Sequence, residues 1–269
     1  MLYAVKALED CGAPIDGRIA LVFVPDEETA GDRGTVRLIA ENLIDRRALG
    51  MLTPEPTSGV VWNGCRGALT LEVTVEGKPA HVSLEHQGVN AFERMIPIAA
   101  RLLRLKEELR ARRSILMLGG VCSSGSNFNL VPGECRFTID RRLNPDEDLD
   151  TERARLEEIF DEARAGGTNL DVRVVQQGSA SHTPSDGALA LALAESIGGS
   201  PRWEPCPGLL ETRYYAALGI PAFAYGPGLL AVSHGPHEFV PIRNILHVAE
   251  VYACTALRML AVTSTPDSN

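Results

Sequence analysis

Residues 18–31 read RIALVFVPDEETAG, with the apolar run Ile19, Ala20, Leu21, Val22, Phe23, Val24 followed by Pro25, Asp26, Glu27, Glu28 and Thr29. A short continuous apolar run rich in branched residues is the pattern of a strand buried on both faces, as in a parallel sheet. Pro25 and Asp26 end it, since a proline cannot donate to a ladder. Downstream, 34–42 is predicted to be a helix and 48–53 a second short strand. Upstream, Leu2, Val5 and Leu8 share one face of a predicted N-terminal amphipathic helix. Helix, strand, helix, strand is the rhythm of an α/β sheet with helices on its faces.

The rhythm changes near Gly67. Residues 68–76 (ALTLEVTVE) alternate as a half-exposed strand should. A long helix is predicted over 89–109, offering Ile96, Ala100, Leu103 and Leu105 to a core. Strands at 115–121 and 134–143, a charged helix at 148–165 and a strand at 170–175 follow. The order β-α-β-β-α-β is that of a ferredoxin-like module. Beyond Ser181 the α/β character returns, with a helix at 189–197, a buried strand at 220–225 and a closing helix at 243–262. The expected fold is therefore α/β, one domain (1–66 and 179–269) interrupted by an inserted α+β ferredoxin-like domain at 67–178. Residues 264–269 read as a frayed tail.

Composition narrows the function classes. The 269 residues have a net charge of −9, which argues against a nucleic-acid binder with its dense basic surface. A hydrophobic share of 45% is ordinary for a soluble domain. No run of eighteen apolar residues predicts a membrane span, and the first residues lack the pattern of a signal peptide. The six cysteines (Cys11, Cys65, Cys122, Cys135, Cys206 and Cys254) are scattered without a CxxC pair. They read as buried free thiols in a reducing, cytoplasmic compartment.

Four constellations bear chemistry. The adjacent carboxylates Glu27 and Glu28 follow a predicted strand, where sites form in open α/β sheets. One can bind a metal while the other moves protons; the same pair also suits a solvated helix start. Glu55, between Pro54 and Pro56 after the next predicted strand, is held rigidly, as either a hard-oxygen ligand or part of a stiff turn. His234 and His237 lie in a glycine-rich loop after a third strand, and either ring suits a metal. His81 closes Gly77-Lys78-Pro79-Ala80-His81 at the end of the inserted domain's first strand.

Taken in order, these motifs resemble the zinc deacylase and peptidase superfamily of acetylornithine deacetylase, succinyl-diaminopimelate desuccinylase, aminoacylase and carboxypeptidase G. Asp26-Glu27-Glu28-Thr29, Glu55-Pro56-Thr57 and 77–81 match, as do Asn129-Leu130-Val131-Pro132, Asp140-Arg141-Arg142 and Gly226-Pro227-Gly228 with His234 and Glu238. The resemblance implies a zinc-peptidase-like catalytic domain, incomplete at its N-terminus, with the insert as lid and dimerisation domain. Glu27 would be the general base and acid. Glu28, Glu55 and His234 would be metal ligands, with His237 ranked second because it falls where the family has asparagine. His81 would stabilise the oxyanion in a partner subunit's site. Asn129, Arg142 and Arg213 would contact the substrate, with Glu211 standing where the family has aspartate.

The implied cofactor is zinc, two per subunit in the family, replaceable by cobalt or manganese. The implied substrate is an N-acyl amino acid or short peptide, and the implied assembly a homodimer. The family's His-x-Asp and bridging aspartate have no match here: none of His81, His86, His182, His234, His237 and His247 begins a His-x-Asp. The expectation is that one zinc or none is held by this chain. The alternative reading is a catalytically incomplete remnant acting as a dimerising or binding module.

Overall fold

The computed structural model describes residues 1–27 and 31–261. The chain divides into two compact units, one formed by Met1–Cys65 with Ser181–Asn269 and the other by Arg66–Ala180.

The first unit holds a mixed sheet in the order β1-β11-β2-β10, with β9 also on β2. Its strands are β1 (Met51–Thr53), β2 (Val61–Cys65), β9 (Ser181–His182), β10 (Trp203–Cys206) and β11 (Ala222–Ala224). β1 runs parallel to β11, and β10 parallel to β2, whereas β11 meets β2 antiparallel. The helices are α1 (Leu2–Asp10), α2 (Thr35–Ala40), α5 (Ala188–Ile197), α6 (Thr212–Ala217) and α7 (Ile242–Leu260). One face of the sheet packs Val61, Phe223 and Tyr225 against Ala4 of α1, Leu189 and Leu193 of α5, and Val248 and Val251 of α7. The other gathers Val60, Trp62, Cys65, Cys206 and Leu210.

β2 is buried along its whole length, yet its sequence VWNGC shows neither an apolar run nor alternation. Its central place makes it a strand. Asn63 is satisfied there by its carbonyl accepting from Thr183 N at 2.7 Å and its amide donating to Thr183 O at 3.4 Å. Gly64 is required, because a Cβ would overlap the carbonyl of Ser181 on β9.

Two expectations for this unit need correction. The 18–24 run is in no ladder among the described residues, with Val22 43% and Phe23 70% exposed. A strand exists by pairing as well as by pattern, and among the described residues nothing pairs with this one. In α1 the buried face is Ala4 and Leu8, and Leu2 is exposed.

The second unit is a four-stranded antiparallel sheet in the order β5-β7-β3-β8, with helices α3 and α4. The strands are β3 (Gly67–Glu76), β5 (Ile115–Ser124), β7 (Glu134–Leu143) and β8 (Asn169–Gly178); the helices are α3 (Ala91–Arg110) and α4 (Leu149–Ala165). A separate two-stranded ribbon joins β4 (Ala80–His81) to β6 (Leu130–Val131). The β-α-β-β-α-β order and the central antiparallel β3–β7 pair are those of a ferredoxin-like module.

Local chemistry sets the helix starts. Asn90 Oδ1 accepts from Phe92 N and Glu93 N at 3.1 and 3.3 Å, and Asp148 Oδ1 accepts from Thr151 N at 2.8 Å. The stripe of α3 that meets the sheet is Ala91, Met95, Ile98, Leu102, Leu105 and Leu109. Of the apolar positions offered by the sequence, Leu105 is in the core and Ile96 and Leu103 are exposed. α3 has two apolar stripes at helical spacing, and the sheet covers one.

Arg141, fully buried, is held by carboxylates at both sides. Its Nη2 donates to Glu147 Oε1 at 2.8 Å and Glu152 Oε2 at 2.7 Å, and its Nη1 to Ser114 Oγ at 2.6 Å. Burial alone would push the Glu147 carboxyl up; the Ser114 hydroxyl, the Asn144 N–H and Arg141 together hold it below its ordinary value.

Candidate active site

In the first unit, Glu27 follows the 18–24 run. Asp26 takes a left-handed φ of 69°, and a Cβ on Gly34 would crowd the carbonyl of Pro25. Thr35, buried at the start of α2, donates its hydroxyl to Glu211 Oε2 at 2.8 Å. Glu28 lies outside the described residues.

Glu55 follows β1, half-buried between its two prolines. Its loop is stitched to the loop after β11. Thr57 N donates to Glu55 O at 2.8 Å, Ser58 N to Gly228 O at 3.0 Å, and Leu230 N to Ser58 Oγ at 3.0 Å. Gly226 lies directly on the backbone of Pro54 and Glu55, where a side chain would overlap their carbonyls. α7 fixes the same loop from the other side: Tyr252 donates its hydroxyl to Tyr225 O at 2.7 Å, and Asn244 Nδ2 donates to Pro227 O at 3.2 Å.

Glu27, Glu55 and Glu211 line one cavity of about 630 Å3 whose other walls are mainly apolar. Two buried groups nearby register the carboxylates. Burial pushes the Cys206 thiol up to about 12, and the charges of Glu55 and Glu27 act in the same direction. Burial also raises the Tyr252 phenol, and Glu55 adds to it.

His234 is exposed in the glycine-rich loop, with a left-handed φ of 58° and its N–H donating to Glu238 Oε2 at 3.0 Å. A non-glycine residue at such a φ is uncommon, and such positions concentrate at functional sites. His237 is exposed three residues on. Arg213 is buried on α6; it donates to Leu210 O at 2.8 Å and Tyr214 OH at 2.6 Å, and stacks 4.0 Å over the Tyr214 ring.

In the second unit, His81 pairs with Leu130 across the β4–β6 ribbon, and Val82 N donates to the adjacent Asn129 O at 2.9 Å. His81 Nδ1 accepts from Ser83 N at 3.2 Å and contacts Ser83 Oγ at 2.7 Å. An accepting Nδ1 assigns the proton of the neutral ring to Nε2, leaving an N–H donor on an exposed side chain. Arg142 is not with them. It lies near the far end of β7, eight residues from Glu134 and so on the order of 27 Å along an extended strand. Its guanidinium pairs with Asp140, Nη2 donating to Oδ2 at 2.9 Å.

Carboxylate and imidazole donors are of the type that zinc takes. Among the described residues, however, no group of three histidine, cysteine, aspartate or glutamate side chains converges on one point. The described residues do not by themselves form a complete metal site. The sequence pointed to Glu27, Glu55 and His234 through their motifs. It gave no signal for the fastening roles of Thr35, Glu211 and Tyr252, which depend on contacts between distant segments.

Comparison with known proteins defines the class. The pattern of peptidase family M20/M25/M40 matches residues 1–258, and the chain belongs to that family. It is 30% identical over 247 residues to the DapE protein of Mycobacterium tuberculosis, covering 84% of this chain and 64% of that protein. It is 27% identical over 263 residues to the acetylornithine deacetylase of Myxococcus xanthus, covering 94% and 67%. A Staphylococcus aureus tripeptidase superposes with a TM-score of 0.76 at 21% identity, over 94% of this chain and 67% of that one. A Bacillus subtilis protein described as a dinuclear metal binding peptidase superposes with a TM-score of 0.70 at 14% identity, over 96% and 70%. The chain thus spans under two thirds of the Mycobacterium protein's length. Among the described residues no helix is long and apolar enough to cross a membrane.

Proposed function

We propose that these residues form the larger part of a zinc-dependent amide hydrolase. It would cleave the amide bond of N-acyl amino acids, as a deacetylase or desuccinylase does, or a peptide bond of a short peptide. The reading is carried by one observation, that Glu27 and Glu55 open from separate loops into one cavity. Family membership and the deacetylase and tripeptidase relatives support it.

In this reading Glu27 takes the proton of the attacking water and returns it to the leaving amine. A positioned acid–base group of this kind contributes about 10²–10⁴-fold. Glu55, Glu28 and His234 are the donors that this chain offers to metal. Arg213 holds a substrate carboxylate, for which the fork geometry of a guanidinium is suited. Asn129 contacts substrate, and the exposed Nε2–H of His81 donates to the oxyanion of a partner subunit's site; Arg142, far along β7 and paired with Asp140, is left without a substrate role. The second unit acts as lid and dimer surface. The exposed stripe of Phe92, Ile96 and Leu103 on α3 supports a homodimer, since a helix stripe of this kind gains by being covered.

The test is hydrolysis of N-acetyl and N-succinyl amino acids and a tripeptide by the purified chain, with zinc measured by elemental analysis. Turnover that falls at least a hundredfold in Glu27→Gln, with zinc content unchanged, is expected. Turnover unaffected by that change overturns the role of Glu27. A second reading, a non-catalytic dimerising module, is favoured by the absence of a three-donor cluster among the described residues. No zinc and no turnover in a stable dimer is its signature.

A further inference from the structure

The turn that leads into β6 carries an aromatic ring that the described residues leave uncovered. Residues 125–129 read Gly-Ser-Asn-Phe-Asn, and Leu130 N donates to Asn127 O at 3.3 Å, so Phe128 and Asn129 are the two central residues of a tight turn. Such positions favour asparagine, aspartate, serine, glycine and proline, and the turn has no need of a phenylalanine. Phe128 is 98% exposed, so it adds almost no buried apolar surface to the fold either. The ring has apolar company around His81. Leu130 stands directly opposite His81 in the β4–β6 ribbon, and opposite residues share a face with their Cβ atoms about 4.5–5.5 Å apart. Leu130 is exposed, as are Val82 and Leu84 just after His81. Lysine and arginine are absent from 79–90 and from 114–135, whose carboxylates are Glu85 and Glu134.

We propose that Phe128, together with Leu130, selects the substrate by its acyl group and favours an apolar acyl chain over a charged one such as succinyl. This selectivity rests on the role of His81 proposed above. An Nε2–H that donates to the oxyanion lies against the scissile carbonyl, and that carbonyl belongs to the acyl half of the substrate. The groups beside His81 on the ribbon therefore meet the acyl chain first. Small-molecule sites are built in this way, from apolar and aromatic walls with a few placed polar groups that fix orientation. An apolar chain laid on the ring leaves water without losing a polar contact, whereas a carboxylate there loses hydration and gains no partner. The ribbon and its flanks offer it no lysine or arginine, and the charges of Glu85 and Glu134 oppose it. The size of the turn also fits this occupant. A stable subunit contact buries on the order of 800 Å2 per partner, far more than one ring supplies, whereas a single acyl chain is covered by one ring and a leucine.

The test compares N-pentanoyl-alanine with N-succinyl-alanine, two ligands of similar length that differ in the charge at the end of the acyl chain. Their dissociation constants are measured by titration calorimetry on the 269-residue chain carrying Glu27→Gln, and their hydrolysis on the unchanged chain. The pentanoyl compound is expected to bind at least tenfold more tightly. Phe128→Ser is expected to cut that ratio at least fivefold, with the midpoint of urea unfolding unchanged because the side chain is exposed. Phe128→Leu, which keeps an apolar surface, is expected to retain most of the ratio. Equal binding, tighter binding of the succinyl compound, or no binding of either overturns the proposal. So does a ratio that Phe128→Ser leaves unchanged. If that variant instead turns a dimer into monomers in sedimentation with the ratio intact, the ring belongs to a subunit contact and the proposal falls. A pentanoyl preference without turnover sinks the hydrolase reading and keeps this selectivity; turnover that is blind to the acyl group does the reverse.

Discussion

Gly226 donates its N–H to Thr57 Oγ1 at 3.2 Å, and the same hydroxyl reaches the Gly226 carbonyl at 3.4 Å. Thr57 is buried, so this one side chain joins the Glu55 loop to the loop that leads to His234. Two segments 169 residues apart in sequence are thereby held as one body.

Thr57→Val keeps the shape and removes the hydroxyl, leaving the Gly226 N–H buried and unmatched. The expected cost is about 1–3 kcal/mol, read as a lower midpoint in urea unfolding. Thr57→Ser retains the hydroxyl and recovers most of the loss. Equal losses in both variants would mean that the methyl group, and not the hydrogen bonds, matters there.

Arg141 stands between two buried carboxylates, Glu147 and Glu152. Arg141→Met strands both, at an expected cost of about 3–5 kcal/mol. Replacing all three with apolar residues of similar volume recovers most of it, because the buried charges go together. Denaturant midpoints of the single and triple variants check this. A single variant as stable as the parent contradicts it.

Glu147 titrates below its ordinary value of 4.5 in the folded chain. The unfolded chain therefore takes up this proton first as pH falls. The stabilisation is complete above about 4.5 and is lost as pH drops through the lower folded value. Thermal midpoints measured from pH 6 downward show this as a slope that Glu147→Gln makes shallower. An unchanged slope assigns the acid sensitivity to other carboxylates.

Gly64→Ala places a methyl group onto the Ser181 carbonyl and the His182 backbone. β9 must move off β2, with an expected loss of about 1–3 kcal/mol. The change is expected to appear as faster amide exchange at Ser181 and His182. Unchanged exchange there would show that β9 is not held by this approach.

The sequence by itself determined the second unit almost strand by strand. The alternation of 68–76 and 134–143 has period two, and that period dictates which face of the sheet each residue meets. It also determined the family motifs, because Glu27, Glu55 and His234 are each fixed by immediate neighbours: an acidic pair, two prolines, a glycine loop. Tertiary structure decided the rest. RIALVFV has the better strand pattern but no ladder partner among the described residues, whereas VWNGC has a poor one and lies at the centre of the sheet. Local pattern sets what a segment can bury, but a strand also needs a neighbour for its backbone, and neighbours come from distant parts of the chain. The same reason hid the second stripe of α3 and the Thr57–Gly226 fastening. Each is a choice among locally equivalent faces or partners, made only when the segments meet.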